Sequence, residues 1–243
     1  NISPSSDEVL ATADGTLGLV AHWDFDTALS DATPNAFAAS TYTTPLYTDN
    51  PRYVASGSHA LRLDGTNFVQ LPYGVAQTEA LTVSLWMYWN GASAGSNQRI
   101  FDFFNGPGEG LFLTPSGSDG KMRFVIAHAG KEQELLAPKF TPLRLQHIAL
   151  TLSADSVILY VDGERKAVTD AITLHPSDIC PVLCYLGRSQ NTANPLLKAY
   201  IDDVRIYNCA LTPLQVRQVM ASVDTAVLPP DADGDPVAEE CDA

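Results

Sequence analysis

Short runs in which apolar and polar residues alternate recur along this 243-residue chain. The clearest lies at 81–89. There Leu81, Val83 and Leu85 share one side of an extended backbone, and the intervening residues share the other. A period of two residues predicts β-strands, and turn residues separate the runs. The predicted strands are 19–26, 60–63, 68–71, 81–89, 99–104, 111–114, 121–128, 145–152, 157–162, 185–188 and 199–207.

No helical segments lie between these strands, which argues against a parallel α/β fold. The sequence therefore predicts an all-β, two-sheet antiparallel jelly-roll sandwich with one short C-terminal helix. The helix should begin after Thr212, which forms a capping box with Gln215, and Leu211 and Val216 are placed as a hydrophobic staple. It should end near Ala221.

Two predicted hairpins join neighbouring strands. The segment 64–67 (Asp-Gly-Thr-Asn) should connect the strands at 60–63 and 68–71. The segment 153–156 should connect 145–152 with 157–162. Three regions follow from the change in composition: an N-terminal linker or edge segment at 1–15, a jelly-roll domain at 16–222, and an acidic tail or linker at 223–243.

The formal net charge is −14. Nucleic acid and anionic membranes need clustered Lys and Arg, so both are excluded as partners, and the acidic excess fits either solubility or cation binding. No apolar run reaches the roughly 18–20 residues of a membrane helix. The first residue is Asn1 rather than Met, so we expect a processed or excised fragment.

Four cysteines are present, and their spacing does not match a zinc site. A disulfide among Cys180, Cys184 and Cys209 and a set of buried free thiols are both open interpretations. Cys241 lies in the acidic tail.

Three stretches resemble the laminin-G-like, concanavalin A-like jelly-roll modules of secreted bacterial proteins. They are GLVAHWDFD at 18–26, ALRLDGTNFV at 60–69 followed by LTVSLW at 81–86, and IDDVRIYNCALT at 201–212. A hairpin with HIAL at 147–150 and LYVDG at 159–163 is similar too. The resemblance covers about residues 17–221, and Cys209 departs from the basic residue more usual there. It implies the fold, and a module attached to a carbohydrate-active enzyme, an adhesin or a surface protein.

The same resemblance implies a structural calcium ion (Ca2+). Asp26 and Asp202 are its expected ligands, and Asp64 is a weaker third, because calcium prefers carboxylate and carbonyl oxygens. The alternative is that Asp64 only makes its turn with Gly65 and Asp26 only caps a loop.

A ligand surface is predicted on the polar side of the central strands. Alternation points five side chains away from the core, and sugars bind such surfaces by stacking on rings and bonding to polar groups. The alternative is that loops cover this face and Trp86 is ordinary packing. The predicted ligand-binding residues are Trp86, Tyr88, Arg123, His147 and Tyr160.

Two acidic segments are candidates for other chemistry. The tail at 231–242 resembles a degenerate thrombospondin type 3 calcium repeat, or is a solvated linker. Glu132 and Glu134 are the nearest approach to the paired carboxylates of a glucanase, but they lie in a loop-like stretch. No catalytic motif is present, so the chain is not expected to be an enzyme.

The leading hypothesis is a non-catalytic carbohydrate-binding module of a larger secreted or cell-surface bacterial protein. Its partner would be a polysaccharide or another glycan. The alternatives are a structural or adhesive module that contacts an adjacent domain and binds no sugar, and a polysaccharide hydrolase or lyase on the same fold.

Overall fold

A computed structural model describes residues 18–26, 28–91, 95–154 and 156–221. Two antiparallel sheets form a sandwich, and two short helices lie outside them. The strands are β1 (Leu19–Trp23), β2 (Ser40–Thr41), β3 (Tyr47–Thr48), β4 (Ala60–Asp64), β5 (Val69–Leu71), β6 (Leu81–Trp89), β7 (Phe101–Gly106), β8 (Glu109–Thr114), β9 (Met122–His128), β10 (Lys131–Ala137), β11 (Leu145–Leu152), β12 (Val157–Val161), β13 (Glu164–Thr169), β14 (Leu183–Leu186) and β15 (Lys198–Tyr207). The helices are α1 (Pro176–Ile179) and α2 (Pro213–Ala221).

The eight-stranded sheet has the order β13-β12-β11-β6-β15-β4-β3, with β1 also paired to β15. The seven-stranded sheet has the order β10-β9-β8-β7-β14-β5-β2. Every pairing is antiparallel. The predicted fold class is therefore confirmed.

The core lies between the two sheets and contains the apolar side of each alternating run. Leu81, Val83 and Leu85 are buried there, as the two-residue period predicts. Trp23 and Trp89 are the largest side chains in it. Each fully buried large apolar side chain contributes about 1.5–3 kcal/mol relative to exposure, so this face fixes which side of every strand points inward.

Helix α2 packs on the outer face of the eight-stranded sheet. Val216 and Val219 join a second apolar cluster with Tyr160 and Tyr207. The predicted capping box is present, since Thr212 N donates to Gln215 Oε1 at 2.8 Å and Gln215 N donates to Thr212 Oγ1 at 3.3 Å. Leu211 is buried in the same cluster as Val216, which matches the predicted staple.

The predicted hairpin at 64–67 is wrong, although the turn exists. Asp64 Oδ1 accepts hydrogen bonds from Thr66 N at 2.9 Å and Thr66 Oγ1 at 2.7 Å, and Gly65 has φ +89°. However, β4 pairs in the eight-stranded sheet and β5 in the other. The turn carries the chain across the sandwich, and sequence alternation does not say which sheet a strand joins. The second predicted hairpin, between β11 and β12, is confirmed.

Several elements were not predicted. Glu132 and Glu134 lie on β10, an edge strand, rather than in a loop, and β13, β2, β3 and the one-turn α1 are also additional. These segments are exposed or very short, so they lack the apolar period that reveals a strand. The boundaries at 15/16 and 222/223 and the acidic tail with its calcium-repeat interpretation lie outside the described residues, and stay predictions.

Cys209 is disulfide-bonded, whereas Cys180 and Cys184 are free thiols. No disulfide therefore joins any two of these three cysteines. Burial raises the pKa of Cys184 to about 12, so this thiol stays protonated and unreactive. No described helix combines the length and the apolar character needed to cross a membrane.

Candidate functional site

Three of the five predicted ligand residues meet on the outer face of the eight-stranded sheet. Trp86 and His147 are directly paired across β6 and β11, with ring centroids 5.4 Å apart. His147 Nε2 lies 2.8 Å from Ser84 Oγ, and burial lowers the pKa of His147 to about 4. Tyr88 is buried beneath Tyr53, whose ring centroid lies 4.7 Å away. Trp86 alone keeps partial exposure.

The other two predicted residues lie elsewhere. Tyr160 is on the same sheet but only 1% exposed, in the cluster beneath α2. Arg123 is on β9 of the opposite sheet, so the expectation that it shares a surface with Trp86 is wrong. The structure thus does not assemble the five residues into one accessible surface. The alternation of apolar and polar residues correctly predicted on which side of its strand each residue lies. It could not show which segment packs over that side.

The Glu132 and Glu134 carboxylates both bind Arg123. Arg123 Nε donates to Glu134 Oε2 at 2.6 Å, and its Nη2 donates to Glu132 Oε1 at 3.2 Å. Both carboxylates lie at the surface, held on one side of an edge strand by the same guanidinium. This arrangement differs from a pair of carboxylates facing each other across a cleft.

Accessible aromatic residues also occur on the outer face of the seven-stranded sheet. Four rings form a continuous series, which we call the aromatic strip: Tyr42, Phe68, Tyr185 and Phe104. Successive centroids are 5.2 Å, 5.4 Å and 5.5 Å apart. Tyr42 is 72% exposed, Phe68 and Phe104 are half-buried, and Tyr185 is buried beneath them.

Arg188 covers the middle of the strip. Its guanidinium carbon lies 4.5 Å from the Phe68 ring centroid and 4.9 Å from that of Tyr185. Gly187, with φ +81°, places it there, and a Cβ at Gly187 would come within 2.6 Å of Leu63 Cδ1. At the other end, Tyr42 Oη donates to Gln70 Oε1 at 3.2 Å. The strip therefore combines apolar ring faces with fixed hydrogen-bonding groups.

A cavity of about 310 Å³ opens beside Phe68 and Arg188. Hydrogen bonds to Ser189 hold the residues around this cavity in place. The Ser189 Oγ accepts from Asn194 Nδ2 at 3.0 Å and from Asn191 N at 3.1 Å. The lining mixes one ring and one leucine with hydroxyl, amide and guanidinium groups. The lining residues are Phe68, Arg188, Ser189, Thr192, Asn194 and Leu196.

A buried ion pair includes Asp102 on β7, a strand of the same sheet. Asp102 is fully buried, and its Oδ2 accepts from Gln190 N at 3.0 Å and lies 3.6 Å from Arg99 Nε. Burial raises the pKa of Asp102 to about 6, although the Gln190 N–H and Arg99 act in the opposite direction. Arg99 lies against the Phe112 ring, 3.7 Å from its centroid.

Part of this site was visible in the sequence. Phe104 and Tyr185 occupy the polar side of two predicted strands, and the same argument that selected Tyr88 would have selected them. Tyr42 follows β2, so no period places it, and Arg188 falls in the predicted strand at 185–188 on the side opposite Tyr185, whereas in the structure it follows the end of β14. Their position depends on the tertiary structure.

The three carboxylates predicted to bind calcium fall into two places. Asp26 Oδ1 accepts from Ser58 N at 2.5 Å and His59 N at 2.9 Å, while Asp202 Oδ2 accepts from Ala55 N at 2.7 Å. Both therefore hold the same loop, residues 55–59. Asp64 is engaged in its own turn.

The pKa values of the two loop-binding carboxylates are shifted in opposite directions. Burial alone would raise the pKa of Asp26, but hydrogen bonds from Ser58 and His59 hold it below its ordinary value. Burial raises the pKa of Asp202 to about 7, against hydrogen bonds from Ser56 and Ala55. Among the described side chains, no three His, Cys, Asp or Glu residues come together to hold a metal ion. These side chains alone do not form a calcium site, and calcium binding stays a prediction.

The sequence profile of the concanavalin A-like lectin/glucanases superfamily, in its laminin G form, matches residues 63–217, which is more than half of the chain. The chain belongs to this superfamily. The match includes the Phe68, Phe104, Tyr185 and Arg188 positions of the aromatic strip and its cover, and it leaves Tyr42 outside.

Solved structures with a similar fold include binding domains. The chain is similar to domain 4 of AbnA, a GH43 extracellular arabinanase from Geobacillus stearothermophilus, solved with arabinotriose: TM-score 0.72, 24% identity, 84% of this chain and 98% of that one. It is also similar to the binding domain of Paraclostridial Mosquitocidal Protein 1, with TM-score 0.66, 16% identity, 84% of this chain and 52% of that one.

A third solved structure is the binding domain of botulinum neurotoxin serotype C1, with TM-score 0.66 and 11% identity over 90% of this chain and 55% of that one. The chain thus spans about half the length of both toxin domains and nearly all of the arabinanase domain. At these identities the likeness shows the fold. No curated protein sequence matches the chain.

Proposed function

We propose that this chain is a non-catalytic glycan-binding module that contacts a polysaccharide through the aromatic strip. The observation that carries the proposal is the row of four rings with Arg188 above it and a polar cavity beside it. Sugar rings present C–H faces that stack on aromatic rings, while their hydroxyls need donors and acceptors around the edge. The strip and the cavity offer both kinds of contact on one side of the module.

Two further observations support the proposal. The arabinanase domain with the same fold was solved with arabinotriose, a short sugar chain. The disulfide at Cys209 suits an oxidising compartment, as expected for a secreted or cell-surface protein.

The test measures binding of arabinotriose and a panel of soluble polysaccharides by calorimetry and affinity electrophoresis. Phe68→Ala and Arg188→Ala should each weaken binding about tenfold, since a stacked or charge-assisted contact contributes roughly 1–2 kcal/mol. Tyr42→Ala should weaken it too. Tyr73→Ala removes an equally accessible tyrosine, 62% exposed, beyond the other end of β5, and should bind like the wild type.

Retention of full binding in both Phe68→Ala and Arg188→Ala would overturn the assignment of the surface. A wild-type protein that binds no member of the panel would favour the structural or adhesive module instead. Release of reducing ends from a bound polysaccharide would overturn the non-catalytic assignment.

A further inference from the structure

A second cavity, of about 460 Å³, opens along the opposite edge of the sandwich. Both sheets and the β10–β11 connection contribute to it. It is separate from the aromatic strip and shares no residue with it. We call it the basic crevice, and its lining residues are Met122, Pro138, Lys139, Phe140, Thr141, Arg144, Gln146, Val161, Asp162, Glu164 and Lys166.

The charge of the basic crevice differs from that of the protein. Three cationic side chains, Lys139, Arg144 and Lys166, line it against two anionic ones, Asp162 and Glu164, in a chain whose net charge is −14. Lys166 Nζ pairs with Glu164 Oε2 at 2.6 Å, and Arg144 Nη2 lies 3.5 Å from Asp162 Oδ2. Lys139 has no ion-pair partner within the described part of the chain.

Both oxygens of the Asp162 carboxylate already accept hydrogen bonds within the protein. Its Oδ2 accepts from Gln146 Nε2 at 2.8 Å, and its Oδ1 accepts from His147 N at 3.0 Å. These bonds fix the carboxylate at the β12–β13 turn and leave Arg144 only a long contact to it. Arg144 and Lys139 are therefore the two cations of the crevice best placed to receive an external anion.

Gln146 gives the independent evidence for a ligand. Its side chain is 5% exposed and lines the cavity, yet its Oε1 accepts no hydrogen bond from any described group. A buried amide oxygen without a donor costs about 1–3 kcal/mol, so the site favours a molecule that brings a donor to it. The amide orientation is not ambiguous, because Nε2 must donate to Asp162.

We infer that the basic crevice binds a hexuronic acid residue, as a monosaccharide or as a unit of an acidic glycan. Its carboxylate would pair with Lys139 and Arg144, and one of its hydroxyls would donate to Gln146 Oε1. The buried Met122 and Val161 supply an apolar floor for the C–H face of the ring. A cavity of this size accommodates a ligand larger than a simple ion.

The test uses two matched pairs of sugars that differ only at C6: D-galacturonate against D-galactose, and D-glucuronate against D-glucose. Binding is measured by ligand-observed NMR and calorimetry at low ionic strength. We expect at least one uronate to bind at least tenfold more tightly than its neutral partner. Lys139→Gln should weaken that binding at least fivefold, and Gln146→Leu should weaken it as well.

Lys131→Gln is the matched control, since this exposed lysine lies at the far end of the β9–β10 hairpin. Equal binding of a uronate and its neutral partner, or unchanged binding in Lys139→Gln, would overturn the inference. If sulfate binds as tightly as the uronate, the crevice is a general anion site, and this result would also overturn the inference. Phe68→Ala should leave uronate binding unchanged, which separates this site from the aromatic strip.

Discussion

At the scale of single residues, buried carboxylates decide much of the local structure. Asp102 and Asp202 are both fully buried, and both have a pKa well above that of an ordinary aspartate. Burial is the main cause in each case, because it disfavours the charged form. Asp102 lies next to Arg99, whereas Asp202 is surrounded by backbone N–H groups. The two aspartates therefore link the stability of the fold to pH.

Asp102 should make the protein less stable as the pH rises. Its pKa is about 6 when folded against an ordinary 3.8, so the folded state binds the proton more tightly. The extra stability is complete below about pH 4 and is lost as the pH rises through about 6, with an upper value of roughly 3 kcal/mol. Denaturant unfolding of the wild type and of Asp102→Asn between pH 4 and pH 8 measures it.

In that comparison the free energy of unfolding should fall more steeply with pH in the wild type than in Asp102→Asn. Other titrating groups are common to both proteins and cancel. Parallel curves across the whole range would contradict the assignment of this pKa to Asp102.

At the scale of elements, the loop at 55–59 joins the first strand to the last. Asp26 follows β1 and binds the far end of this loop, while Asp202 in β15 binds its near end. Gly57 has φ +60° and lies directly against the Asp26 carboxylate, so a side chain there would collide with it. Hydrogen bonds from backbone N–H groups to these two carboxylates thus hold the loop at both ends, and calcium would add to an existing attachment.

The calcium prediction is tested at this loop. If Asp26 and Asp202 bind calcium, an excess of calcium chloride should raise the melting temperature above that in EDTA, because a ligand that binds only the folded state stabilises it. Asp26→Asn should abolish the difference, while Asp64→Asn should retain it, since Asp64 does not reach the loop. A melting temperature that is the same in calcium and EDTA would exclude the site.

At the scale of the whole molecule, the two sheets have different outer faces. On the eight-stranded sheet, helix α2 packs over Tyr160 and Tyr53 packs against Tyr88, and both residues are buried. The seven-stranded sheet keeps an accessible aromatic strip. Our two proposals therefore place the glycan contacts on this open face and at one edge of the sandwich.

The disulfide-bonded Cys209 lies just after the last strand, β15. Cys209→Ser, or reduction of the wild type, should lower the free energy of unfolding by about 2–4 kcal/mol. Cys180→Ser is the control, because Cys180 is an exposed free thiol. Equal melting temperatures for Cys209→Ser and the wild type under oxidising conditions would contradict a stabilising role.

The amino-acid sequence by itself determined the strands that carry an apolar period of two, their buried sides and the final helix. Two examples are the period of two in Leu81, Val83 and Leu85 and the capping box at Thr212. Each pattern involves only residues that are close together in the sequence, so it can be recognised without the tertiary structure. The calcium-binding role that the family resemblance implies for Asp26 and Asp202 stays a prediction.

Only the tertiary structure decided which sheet each strand joins and which outer face is left open. The turn at Asp64 looked like a hairpin but crosses the sandwich, and Arg123 lies on the sheet opposite Trp86. The alternation of apolar and polar residues predicts that a side chain points away from the core, but it does not predict which segment packs over that side chain. Contacts between distant segments place α2 over the eight-stranded sheet and bring together Tyr42, Phe68 and Arg188. No local sequence pattern contains such contacts.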